Sequence, residues 1–268
     1  MTAGTLNGSA AVQEHLWSQR ADDWAQHQEG QMRSAFETAL DAVGVASGTH
    51  LLDAGCGAGL VLRLAADRGA DVSGLDATAA LLEHARERVP AAPVAHGELE
   101  ALPYPDDAFD VVTGFNSFQY ATRPAVAVRE AARVTRAGGK VLVLVWGPPE
   151  TCEAGPYLAA LGSLMPPPPP GAPGPYALSG EQALEALLAG AGLDPVTIAD
   201  VPAPWVYPDE AVAVRGLLSS GPAVKAIEHS GEAAARDAVL AAIAPYRTEN
   251  GGYRLENTFR FAIGTNGR

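Results

Sequence analysis

The stretch LLDAGCGAG, residues 51–59, decides the fold. Leu51 and Leu52 end an apolar run, Asp53 follows, and Gly55, Cys56, Gly57, Ala58 and Gly59 make a turn with almost no side chains. A helical pattern begins at once with Leu60, Val61, Leu62, Leu64 and Ala65. The order is strand, glycine turn, helix. Glycine has no Cβ and reaches positive φ without a clash, so such a turn lets backbone pass close to a nucleotide-like ligand. The helix behind it offers unpaired N–H groups and the positive end of its dipole.

Glycine spacing narrows the ligand. A dinucleotide fold wants G-x-G-x-x-G. Here the third glycine comes one residue early, at Gly59, and an acid stands two residues before the first. Downstream, the apolar stretch Val72 to Leu75 ends in Asp76, 76 − 55 = 21 residues after Gly55. That is near the interval of about 20 for an acid that holds a ribose diol. A third signal is HGELEALPYPDDAFDVV, residues 96–112. In these three stretches the chain resembles the class I S-adenosylmethionine (SAM) dependent methyltransferases. It is most similar to their small-molecule branch, the ubiquinone/menaquinone-biosynthesis methyltransferases. The resemblance covers residues 50–147 well and the two ends loosely.

The surrounding pattern agrees with that core. Strands are expected near 49–54, 71–75, 92–96, 108–114 and 139–146, with helices near 58–68, 78–88 and 123–135. Alternation of this kind implies a parallel sheet covered by helices on both faces. Ligands in such sheets sit outside the carboxyl ends of the strands. The glycine turn, Asp76, Gly97 with Glu98, and Phe115 with Asn116 all fall at such ends. The expected architecture is an α/β, Rossmann-like, doubly wound and mostly parallel seven-stranded sheet. Residues 1–44 would form an N-terminal helical lid, 45–147 the SAM-binding core, 148–178 a proline-rich connector, and 179–268 the rest of the core.

The resemblance implies roles. Asp53 would order the glycine turn or meet the ammonium of the methionine part. Gly55, Cys56 and Gly57 would pass main chain along that part. Asp76 would accept both ribose hydroxyls, which a carboxylate does bidentately. The alternative for Asp76 is a cap on the helix that follows. Ala77 leaves room for the adenine edge. Gly97 and Glu98 lie near the adenine amino group, where Glu98 stands in place of the family's usual Asp. Leu99 would pack on the ring, and Asn116 would line the cofactor. In the lid, Trp24, His27 and Gln31 are candidates to reach the methionine end. S-adenosylhomocysteine would be the product.

The acceptor side is less determined. Phe118 and Tyr120 would line an apolar pocket or pack in the core. Trp146, at the end of the fifth strand, is a further candidate. Helices expected at about 208–219 and 222–243 make an insert before a last strand at 253–263. In the family that strand runs antiparallel. An insert spanning about 208–246 would cap the site and offer Trp205, Tyr207, Arg215, His229, Tyr246 and Arg247. As a base, His15, His27, Tyr120 and His229 are all available and no spacing selects among them.

Composition sets outer limits. The chain has 268 residues, 47% of them hydrophobic, with 31 acids against 18 bases and a net charge of −13. That balance argues against a nucleic-acid partner, which needs a basic face. No apolar run is long enough to span a bilayer, and the N-terminus lacks a signal-peptide pattern. Cys56 and Cys152 are the only cysteines, too few for a disulfide framework or a zinc site, which fits a reducing cytoplasm. Residues 1–8 are expected to be disordered. Residues 147–177 hold ten prolines, Pro166 to Pro170 in a row, and read as an extended connector or a strap over the acceptor site. The expected reaction is methyl transfer from SAM to an O, N or C atom of a small, largely apolar metabolite. A SAM-binding enzyme of cyclase or decarboxylase type, or a SAM-sensing module, is the alternative.

Overall fold

The computed structural model describes residues 8–167 and 174–268. From Ala10 to Val43 the chain is mostly helical. It runs through α1 (Ala10–Ser18), the single turn α2 (Ala21–Asp23), a π-helical turn (Trp24–Gln28), a 3-10 turn (Glu29–Met32) and α3 (Arg33–Val43). The helix breaks at Gln19–Arg20, so Trp17 and Trp24 do not share one continuous helix. Their rings nonetheless meet edge to face at 4.7 Å. Helix α3 carries the strongest amphipathic pattern here, burying Ala35, Phe36, Ala39, Leu40 and Val43, and Gly44 ends it in the left-handed region.

The core then alternates as its pattern predicts: β1 (His50–Ala54), α4 (Leu60–Ala66), β2 (Asp71–Asp76), α5 (Ala79–Arg88), β3 (Val94–His96), β4 (Phe109–Phe115), α6 (Pro124–Val134) and β5 (Thr135–Trp146). The segment read as a connector contains a helix, α7 (Gly155–Ser163), which starts at a proline in its first turn and buries Tyr157 and Leu161. Of the proline run, Pro168 to Pro170 lie outside the described residues, as do residues 1–7 of the expected disordered end. After α8 (Glu181–Gly190), β6 (Leu193–Pro202) and β7 (Trp205–Tyr207) come the insert helices α9 (Glu210–Leu217), α10 (Gly221–Ser230) and α11 (Glu232–Ile243). Residues 222–243 are therefore two helices, parted at Gly231 with φ 88° and ψ 153°.

The last strand is also two, β8 (Tyr253–Leu255) and β9 (Thr258–Asn266). Buried Asn257 turns the chain between them, its Oδ1 accepting from the Ala154 N–H at 2.9 Å. The main sheet has seven strands in the order β3-β2-β1-β4-β5-β9-β6, with β9 antiparallel to both neighbours. A second ribbon pairs β7 with β8. One core packs α3, α4 and the insert on one face of the sheet; the other packs α6 and α8 on the opposite face. No helix among the described residues is long and apolar enough to cross a membrane.

Candidate functional site

A cavity of about 1200 Å³, mouth included, opens at the carboxyl ends of β1, β2, β4 and β5, beneath the lid and the insert. The glycine turn forms its floor. Gly55, Gly57 and Gly59 have φ of 87°, 51° and 83°. Space is as strict as torsion at two of them. A Cβ on Gly55 would stand 2.3 Å from the Ser117 Cβ, and one on Gly59 would stand 2.9 Å from the Ala85 Cα. The Gly55 and Cys56 N–H groups both donate to the Leu75 carbonyl, at 2.7 and 3.0 Å, which ties the turn to β2.

Asp76 ends β2. Its Oδ2 accepts from the Gly57 N–H and its Oδ1 from the Thr78 N–H, each at 2.8 Å. It thus closes a short turn leading into α5 and braces the glycine turn together. Each carboxylate oxygen keeps a further lone pair, and Asp76 faces the cavity. Asp53 lies beneath the turn, 1% exposed, accepting from Thr113 Oγ1 at 2.7 Å. Burial pushes its carboxyl up to about 7. Burial also raises Asp76 and pushes the Cys56 thiol well up.

The lid adds an acid that the sequence did not single out. Glu29 is buried, its Oε1 accepting from the Leu60 N–H at 3.4 Å at the start of α4 while Arg88 pairs with its other oxygen. Burial raises its carboxyl although the Arg88 charge opposes the shift. Nothing in the polar run around Glu29 distinguishes it from a surface acid; only lid docking buries it. Glu98, at the end of β3, is also engaged by the lid: its Oε2 accepts from the Ala10 N–H at 2.8 Å.

Glu29, Asp53, Asp76 and Glu98 all line the cavity, and no Arg, Lys or His lines it among the described residues. Such a wall disfavours a bound anion and is stabilised by a bound cation. A dinucleotide such as NADH would bring a pyrophosphate to this wall. Much of the remaining surface is apolar and aromatic, with polar Gln13, Gln28, Asn116, Ser117 and Ser220 among it. Phe36 and Phe115 meet at 4.7 Å between ring centroids, Trp146 and Trp205 at 5.4 Å, and Tyr157 and Trp205 at 6.2 Å. Trp146 closes β5, which lies two strands from β1, roughly 10 Å away.

The candidates divide as follows. Trp24, Ala77, Leu99 and Asn116 line the cavity with Asp53, Gly55, Cys56, Gly57, Asp76 and Glu98. Asn116 adopts φ 51°, a left-handed conformation uncommon outside glycine, and its side-chain carbonyl accepts from Gln119 at 3.0 Å. Gly97 does not reach the wall; it packs against Leu75, and its N–H donates to the Asp76 carbonyl. On the acceptor side Tyr120, Trp146 and Trp205 line the cavity.

Phe118 does not. It is wholly buried in the core on the other face, because Gly114 leaves a slot that its ring fills. Arg215 pairs with Asp23 at 2.6 Å in an outer groove between lid and insert. His229 is exposed at the end of α10, and His15 pairs with Glu228 at 2.6 Å on the surface. His27 lies outside the wall, its Nε2 buried and without a partner among the described residues. Gln31 and Tyr207 hold lid to insert instead, Gln31 through the Val206 backbone and Tyr207 through Gln28. Tyr246 and Arg247 also lie outside the wall. Tyr157, Leu158, Ser220 and Pro222 were missed and do line it. The first two sit on α7, which the prolines around it conceal.

A methyltransferase-domain family model matches residues 52–143. A protein of Mycobacterium tuberculosis (strain ATCC 25618 / H37Rv), described as uncharacterised, is 30% identical over 241 residues, 87% of this chain and 84% of that one. The chain belongs to the class I SAM-dependent methyltransferases. Within this methyltransferase family, the demethylmenaquinone methyltransferase of Renibacterium salmoninarum is 35% identical over 120 residues, 45% of this chain. The chain spans about half the length of that curated relative, 51%. A crystal structure of a Bacillus halodurans C-125 protein superposes with a TM-score of 0.60 at 15% identity, over 88% of this chain and 100% of that one, and shares the fold.

Proposed function

We propose that this protein transfers a methyl group from SAM to an O, N or C atom of a small, largely apolar metabolite. The observation that carries the reading is the carboxylate-rich, base-free wall at the glycine turn. SAM brings a sulfonium and an ammonium to such a wall. Asp76 would take the ribose hydroxyls through its remaining lone pairs. Gly55, Cys56 and Gly57 would follow the methionine part, with Asp53 and Glu29 beneath and above it. Ala77, Glu98 and Leu99 would bound the adenine, and Trp24 and Asn116 would close the lid side.

When bound, SAM supplies an activated methyl group with a neutral thioether as its leaving group. The chain's residues hold the acceptor in line and keep water out. Burial pushes the Tyr120 hydroxyl up to about 12, so it stays protonated near neutral pH and does not act as the base. An acceptor proton leaves to a carboxylate of the wall or to solvent, or the acceptor arrives already nucleophilic.

The test is calorimetric titration of the native protein and Asp76→Ala with SAM and S-adenosylhomocysteine, NADH serving as control. Micromolar binding that the substitution abolishes supports the reading and opens an acceptor screen read by product mass. Binding of NADH in place of SAM would overturn it.

A further inference from the structure

Among the described residues only one of the four wall carboxylates stands in an ion pair. Asp53, Asp76 and Glu98 accept only from backbone N–H or hydroxyl groups. Glu29 is paired with Arg88, the last residue of α5, which does not itself line the cavity. Arg88 reaches it from behind. Nη1 donates to Glu29 Oε2, and Nη2 donates to the Ala25 carbonyl of the lid at 3.5 Å. Oε1 is left on the side of the Leu60 N–H and the glycine turn. The Arg88 side chain is 27% exposed and that of Glu29 only 7%, so the cation keeps some water and the carboxylate almost none. Burial raises the Glu29 carboxyl and the Arg88 charge opposes that rise. A buried carboxylate that loses its cation takes up a proton instead.

The inner side of Glu29 looks onto one open point. Around the position of a Cβ on Gly57, only two atoms beyond its chain neighbours lie within 4 Å among the described residues. They are Glu29 Oε1 at 3.5 Å and Trp24 Nε1 at 3.8 Å. Gly57, Glu29 and Trp24 all line the cavity. A carboxylate accepts from an ammonium, and an indole N–H donates to a carboxylate. Both groups stand on the lid, Trp24 in its π-helical turn and Glu29 in its 3-10 turn, so they meet the glycine turn only while the lid is docked.

We propose that Arg88 is a positioning residue for the amino end of the cofactor: from outside the cavity it holds Glu29 as an anion over the glycine turn, and the ammonium that meets Glu29 fastens the lid. This rests on the methyltransferase reading above. Arg88 touches no ligand and acts through Glu29. The lid therefore closes by charge over a cofactor that carries an amino group and sits more loosely over one that lacks it.

The probes are S-adenosylhomocysteine and its deaminated analogue S-(5′-adenosyl)-4-mercaptobutyrate, which keeps the carboxylate and lacks the ammonium. Calorimetry on the native protein should find the analogue about thirtyfold weaker, the loss of one charge-assisted hydrogen bond. Glu29→Gln should narrow that gap to about threefold by weakening S-adenosylhomocysteine and leaving the analogue within about twofold. Arg88→Met should do the same, Arg88→Lys should restore most of the gap, and the double variant should lose no more than Glu29→Gln alone. A gap that survives Arg88→Met, or an equal loss of both ligands in it, overturns the proposal. So does a native protein that binds the two ligands equally, a result that needs no variant to fold. Failure of the native protein to take S-adenosylhomocysteine overturns the methyltransferase reading and this one with it. Hydrogen exchange over Trp24–Met32 is the second readout. At saturation S-adenosylhomocysteine should slow it more than the analogue does, and equal slowing refutes the link between ammonium and lid.

Discussion

Glu98 Oε2 accepts a hydrogen bond from the Ala10 N–H at 2.8 Å, joining two residues 88 apart in sequence. Ala10 is the first residue of α1, so a core carboxylate sits at the positive end of a lid helix. The extra methylene of Glu, where the resemblance leads one to expect Asp, provides that reach. Glu98→Asp should loosen the lid without touching the core. Hydrogen exchange over Ala10–Ser18 should speed up, and S-adenosylhomocysteine should dissociate about fivefold faster, in line with loss of one charge-assisted bond. Unchanged exchange in α1 would refute the latch.

Asp76 braces the glycine turn, accepts from the Thr78 N–H before α5 and faces the cavity. Asp76→Ala should weaken S-adenosylhomocysteine binding by about a hundredfold and lower stability by about 1–3 kcal/mol, because it removes the acceptor of the Gly57 and Thr78 N–H groups. Asp76→Asn keeps one acceptor oxygen and should fall between. Calorimetry and thermal melts on the three proteins check both numbers.

Gly55 and Gly57 should respond differently to alanine. At Gly55 the new Cβ would meet the Ser117 Cβ at 2.3 Å on top of an unfavourable φ. The cost should be on the order of 3 kcal/mol, with loss of ligand binding. At Gly57 the nearest atom is Glu29 Oε1 at 3.5 Å, leaving only torsional strain of about 1 kcal/mol. Denaturant melts that rank the two variants the other way would contradict this geometry.

Asp53 sets a pH dependence. Its folded carboxyl titrates at about 7, its unfolded one near about 3.9. Between those values the unfolded chain has lost a proton that the folded chain keeps. This group's contribution therefore falls as pH rises from about 4 to about 7 and is flat above, by about 4 kcal/mol in all. Asp53→Asn should remove that slope, so the variant gains on the native protein between pH 5 and pH 8 in paired melts. A bound cation favours ionised Asp53, so SAM binding at pH 6.5 should release a proton that the variant does not. Calorimetry in buffers of different ionisation enthalpy reads that difference.

The core was legible because its signals are local. The glycine turn, Asp76 and the 96–112 segment each carry their own spacing, and strand periodicity placed β1 to β5. What failed to show was long-range. Phe118 reads as a pocket residue until Gly114 is seen to open a slot on the opposite face. Glu29 looks like a surface acid until the lid docks on α4. Helix α7 is masked by prolines, and the breaks at Gly231 and Asn257 follow from packing partners more than 100 residues away or from one glycine torsion.

The Gln31 side chain has one further consequence. Its amide oxygen accepts from the Val206 N–H at 2.7 Å and its amide nitrogen donates to the Val206 carbonyl at 3.0 Å. A single side-chain amide thereby fills the pairing positions that another strand would take on the outer side of β7. Val206 is 48% exposed and apolar, and the edge of a two-stranded ribbon is where a foreign chain can add. Docking of the lid therefore does more than cover the cavity: it leaves this edge no free register for self-association, and a lid held open would expose a sticky margin as well as an open site.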